Sequence, residues 1–109
     1  MKSKIYYTKP EYMRDMLMGL DILSTDSSLL YAILKSKSVV LTHQLIAVVP
    51  ETDLNTIYRN FQGETWSPEG EAGELIKALN LNHTSMSVGD IVQQGNQYYF
   101  CDMEGWVVL

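Results

Sequence analysis

The twenty residues from Asp90 to the C-terminus, DIVQQGNQYYFCDMEGWVVL, leave little choice of local fold. Runs rich in β-branched and aromatic residues at 91–94, 97–101 and 106–109 are separated by Gly95-Asn96 and by Asp102-Met103-Glu104-Gly105. Connections this short join only antiparallel neighbours, so the spacing predicts two hairpins in a three-strand meander. Eighty-nine residues precede it.

Those residues divide by the same criteria. KIYYT, residues 4–8, is short, aromatic and β-branched and is closed by Pro10, which predicts an opening strand. Tyr12, Met13, Met16, Leu17 and Leu20 then recur at helical spacing behind a first-turn proline, for a helix of about ten residues. Residues 22–41 leave two readings open. Ser24, Thr25 and Asp26 can cap a short helix carrying Leu29, Leu30, Ile33 and Leu34, while Ser36-Lys37-Ser38 and Val39-Val40 suit a loop entering a strand. Gln44–Val49 is a continuous apolar run ended by Pro50, the pattern of a strand buried on both faces. Leu54, Ile57, Tyr58 and Phe61 form the clearest helical stripe in the chain. A further helix is expected from Ser67 as N-cap and Pro68, with Ala72, Leu75, Ile76 and Leu79 buried; Gly70 and Gly73 imply either a late start or a close approach on that side.

Assembled, these pieces predict an α+β fold in one domain, residues 1–109. A small mixed sheet with a C-terminal antiparallel meander should carry two to four amphipathic helices packed on it. The expected core is Ile5, Met16, Leu17, Leu45, Ile46, Val48, Leu54, Ile57, Phe61, Leu75, Ile76, Leu79, Val88, Ile91 and Val107.

Composition excludes several functions. The one cysteine, Cys101, allows no internal disulfide and no thiolate-rich zinc site, which favours a reducing, cytoplasmic setting and a role for Cys101 as a small buried hydrophobe. The N-terminal stretch lacks the apolar core of an export signal, and no run approaches the ~20 apolar residues of a bilayer span, so no membrane association is expected. Eight basic residues, scattered along the chain, stand against thirteen acidic ones for a net charge of -5. That balance repels a phosphate backbone and argues against direct nucleic-acid binding.

The segment with most apparent chemistry is NHTSMSVGD, residues 82–90. Extended, it puts His83, Ser85 and Ser87 on one face, with Thr84 opposite and Gly89-Asp90 at the bend. A catalytic serine needs an imidazole aimed at its hydroxyl and a third group orienting the far nitrogen, which neighbours on one strand do not provide, and no G-x-S-x-G elbow is present. The alternative, that these side chains satisfy main chain between helix and meander, is the favoured one. No metal-ligand spacing links His43, His83 or Cys101, and no glycine loop matches a nucleotide signature, so neither metal nor cofactor is expected. Glu71 belongs to a solvated acidic face at a helix start; with Trp66 and Trp106, both favoured as core, it is the candidate contact for a partner.

NFQGETWSPEGEAGELIKALNLNHTSMSVGD, residues 60–90, resembles small uncharacterised proteins encoded on bacterial plasmids and phages, in which a Trp-Ser-Pro helix leads into an HTSMSVGD-like segment and a strand. It is also distantly similar to YodL-type domains through the Ser-x-Ser-x-Gly-Asp element; Gly73 stands where such relatives carry a basic residue. The resemblance implies an accessory gene of a mobile element and transfers no catalytic residue. Two functions follow as expectations. The first is a non-enzymatic accessory protein that binds a protein partner of host defence or replication, with homo-oligomerisation left open. The second is a small hydrolase or ligand-binding enzyme centred on His83 and Ser85 or Ser87.

Overall fold

β1 (Ser3–Thr8) is the strand on which both halves of the protein assemble. In the computed structural model, which describes residues 1–109, it pairs on one side with β2 (His43–Val49) and on the other with β3 (Ile91–Gln94), followed by β4 (Gln97–Asp102) and β5 (Gly105–Val108). The order is β2-β1-β3-β4-β5 and every pairing is antiparallel, so the sheet is not mixed. The meander forms as its turn residues dictate.

Each connection out of β1 and β2 carries helices to one face. Between β1 and β2 lie α1 (Pro10–Met16), α2 (Leu20–Asp26), α3 (Ser28–Lys35) and a 3-10 turn at Val39–Leu41. Between β2 and β3 lie α4 (Leu54–Asn60), α5 (Gly63–Trp66) and α6 (Gly73–Ala78). Alternation along the strands feeds two separate cores. Tyr6, Ile91 and Phe100 pack with Met16, Leu20, Leu23, Leu34 and Val39, whereas Ile5, Tyr7 and Val92 pack with Ile57, Phe61, Ala72, Ile76, Leu81 and Met86. The sheet is the middle of three layers, and β1 contributes side chains to both cores.

Several expectations need correction. The first helix stops at Met16; Gly19, at φ +89, breaks the helical path before α2, and a side chain there would meet an Asp102 oxygen at 2.8 Å, so glycine suits this turn. Ser24 and Thr25 do not cap a helix start. They lie in the last turn of α2 and donate to the carbonyls of Asp21 and Ile22, while Leu29 is solvent-exposed. The helix after Ser67 starts late, at Gly73, with nothing within 4 Å of a side chain built there, and the Ser67 hydroxyl accepts from Ala72 N–H. β2 is an edge strand: Leu45 and Val48, opposite Tyr6 and Lys4, share the face of α1–α3 but lie beyond its cover and are exposed. Leu17, Leu75 and Val107 are exposed as well, each just past the stripe its element buries. The helices number six short segments rather than two to four.

Candidate functional site

The segment Asn82–Asp90 crosses the ends of β1 and β4, and its geometry is set by one carboxylate. Asp90 is fully buried. Its Oδ1 accepts from Thr8 N–H at 2.8 Å and Thr8 Oγ1 at 3.2 Å; its Oδ2 accepts from Ser87 N–H at 2.8 Å and His83 Nε2 at 3.0 Å. Four donors satisfy a charge that would otherwise be costly to bury. Its main chain is equally engaged: the carbonyl accepts from Cys101 N–H, and Gly89 N–H donates to the Cys101 carbonyl. Gly89 sits at φ +102 with Met16 so close that an added Cβ would fall 2.6 Å from the Met16 Cβ, so only glycine fits this bend.

A second imidazole joins from the far side. His43 is buried, with Nε2 2.6 Å from the Gly89 carbonyl and Nδ1 2.7 Å from Thr42 Oγ1. A neutral ring donating from Nε2 and accepting at Nδ1 meets both contacts. Burial lowers its pKa, only partly offset by the Gly89 carbonyl and the Asp90 charge, which keeps it in that form.

His83 lies between Asp90 and the Tyr7 ring, on which it stacks at 4.5 Å and 18°. With Nε2 committed to Asp90, the pair has the base and orienting carboxylate of a hydrolytic triad, but the other nitrogen, Nδ1, is buried and meets no polar group. The hydroxyls are occupied elsewhere. Ser85 Oγ accepts from Gly63 N–H at 2.7 Å, Ser87 Oγ donates to the Ser85 carbonyl at 3.0 Å, and the Thr84 carbonyl accepts from both Tyr7 OH at 2.7 Å and Trp66 Nε1 at 2.9 Å. Desolvation, reinforced by the Asp90 charge, pushes the Tyr7 phenol far above its ordinary pKa and holds it as a donor. The serines and the imidazole of 82–90 are thus brought close without facing one another.

Trp66 packs against Tyr7 and Phe61 and belongs to the second core, as does the half-buried Trp106. Glu71 is exposed and accepts from Glu69 N–H, apart from the other candidates. Cys101 is buried, its thiol pushed up to about 12 by desolvation and by Asp90 and Asp102. No group of His, Cys, Asp and Glu side chains is disposed to hold a metal ion.

A hollow of about 550 Å³ lies elsewhere. It is an open groove between the α1–α2 turn, with Met18, Gly19, Asp21 and Ile22, and the β4–β5 hairpin, with Asp102 through Val107. Met18 and Met103 are 51% and 64% exposed, and no lysine or arginine lines the groove. Thr8, Thr42 and His43 around Asp90, and Met18, Asp21, Ile22, Asp102, Met103 and Glu104 around the groove, are the residues sequence reasoning missed. Met103, in the predicted turn at 102–105, was the one available signal, because Met18 fell inside the predicted first helix. Comparison with protein-family models, curated proteins and solved structures returns no match.

Proposed function

We propose that this chain is a non-enzymatic accessory protein that binds another protein, and that it does so through the groove between the α1–α2 turn and the β4–β5 hairpin. The lining of that groove carries the reading. Met18, Ile22 and Met103 expose flexible apolar side chains, and Asp21, Asp102 and Glu104 surround them. Unbranched thioether side chains adapt to irregular apolar partners. Carboxylates around them favour a partner segment carrying lysine or arginine and disfavour an acidic one. A basic peptide segment with apolar side chains is the chemistry that fits, in the mobile-element accessory context that the resemblance of residues 60–90 implies. The engagement of His83, Ser85, Ser87 and Asp90 with main chain supports a framework role for them in such a protein.

The test is fluorescence anisotropy with a labelled Lys-Lys-Val-Val repeat peptide at low salt. Wild-type protein binds it, and an Asp21→Asn, Glu104→Gln double variant binds it more weakly by roughly two- to thirtyfold, the worth of two exposed ion pairs. Equal binding by both proteins, or binding by neither, overturns the reading.

A further inference from the structure

One wall of the groove is the last strand of the sheet, and its outer edge is bare. β5 pairs only with β4, and no backbone hydrogen bond outside that ladder reaches Gly105, Trp106, Val107 or Val108. The two-residue turn Met103-Glu104 makes Asp102 and Gly105 a mutually bonded pair, and antiparallel pairs alternate from there. Phe100 with Val107 and Tyr98 with Leu109 are then the next bonded pairs. The Leu109 N–H donation to the Tyr98 carbonyl at 2.9 Å fixes the same phase independently. Trp106 and Val108 consequently turn both N–H and C=O outward.

The opposite edge of the sheet is blunted. The β1–β2 register shifts at Ile5/Tyr6, which bends β2, and the Gln44 side chain donates to the Leu45 carbonyl. β5 has no such device. Its pairing is regular, and residues 105–108 contain neither charge nor proline. Gly105, Trp106 and Val107 line the groove themselves, so whatever occupies it lies along this edge.

We infer that the partner segment enters the groove as an added β-strand on β5, an inference that rests on the groove being the binding surface. Main-chain bonds to Trp106 and Val108 give affinity, and side-chain pockets give specificity. Side chains of an extended segment that face the groove meet two environments. Met18, Ile22 and Val107 take an apolar side chain, and Asp21, Asp102 and Glu104 take a basic one at the next position on the same face. The occupant is therefore an extended peptide in which basic and apolar residues alternate along one face, the pattern that a Lys-Lys-Val-Val repeat presents on both faces.

Three measurements on the full chain test this. Amide hydrogen exchange at Trp106 and Val108 slows at least about tenfold when the repeat peptide saturates the protein, while the already bonded Val107 changes little. Val108→Pro removes an outward N–H and no ladder bond, and it weakens peptide binding by about tenfold, one main-chain bond plus the obstruction of the ring. Of two peptides, one N-methylated at alternate residues and so keeping one bonding edge, the other N-methylated at every residue, the first keeps binding and the second loses it, a comparison that leaves the protein unaltered should the proline variant fold poorly. Unchanged exchange at Trp106 and Val108, together with binding of the fully N-methylated peptide equal to that of the unmodified one, overturns strand addition. If the unmodified peptide still binds in an Asp21- and Glu104-dependent manner in that case, the groove reading survives. No binding of the unmodified peptide removes both.

Discussion

Asp90→Ala measures how far residues 82–90 act as framework. The carboxylate accepts from two main-chain N–H groups, of Thr8 and Ser87, and from Thr8 Oγ1 and His83 Nε2, all inside the protein. Truncation strands both amides, each at about 1–3 kcal/mol, while recovering part of the cost of burying the charge, for a net loss of about 2–4 kcal/mol. That is a large share of the 5–15 kcal/mol that holds a domain of this size together. Asp90→Asn loses less, about 1–3 kcal/mol. Its amide oxygen keeps the Thr8 contacts, but the new NH2 confronts the Ser87 N–H. Urea unfolding followed by circular dichroism gives both values, and each kcal/mol lowers Tm by roughly 4 °C. His83→Ala, which removes one donor and the Tyr7 stack, falls below Asp90→Ala in cost. An Asp90→Ala protein within about 0.5 kcal/mol of wild type, the range of ordinary surface changes, refutes the framework argument.

Gly89→Ala loses at least about 3 kcal/mol or fails to accumulate as folded protein, since it combines a φ of +102 with a 2.6 Å approach to Met16. Gly73→Ala, where the space is open, gains up to about 1 kcal/mol in the same unfolding assay. Stability falls with acidification: His43 has a lower pKa folded than its ordinary 6.5, so between the two values the unfolded chain binds the extra proton and unfolding is favoured as pH drops through and below 6.5. Urea midpoints at neutral and mildly acid pH check the sign, and a midpoint that rises on acidification refutes it. Cys101, with its thiol at about 12, is unreactive toward a disulfide reagent at mildly alkaline pH in the native protein and reacts fully once unfolded.

Much of the fold was legible because its signals are local. The meander followed from two turns, and the α4 stripe from Leu54, Ile57 and Phe61, with Asp53 capping by accepting from Thr56 N–H. Placement was not local. An unbroken apolar run at 44–49 fits a central strand, yet β2 became an edge because β3 took the other side of β1. Two of its five apolar side chains, Leu45 and Val48, then faced a surface that α1–α3 do not reach and were left in solvent. Residues 22–41 were illegible because Gly19, Ser27 and Ser38 break the helical period into three pieces too short to show a stripe.

The candidate site failed to show for a related reason. Asp90 is positioned by Thr8, 82 residues away, and the bend beside it by His43, 46 residues from Gly89; neither has a spacing that marks it. The nearness of His83 to Ser85 and Ser87 in sequence signalled chemistry that their directions in space do not support. At the groove the difficulty runs the other way. Asp102-Met103-Glu104-Gly105 satisfies every requirement of a turn, and a turn explains Asp102, Glu104 and Gly105 without appeal to function. Only Met103 is surplus to that explanation, since an exposed hairpin gains nothing from a thioether. Once the meander is granted, its last strand lies at the rim of the sheet unless another strand covers it. An apolar β5 such as Trp106-Val107-Val108, with no strand on its outer side, already poses the question that strand addition answers.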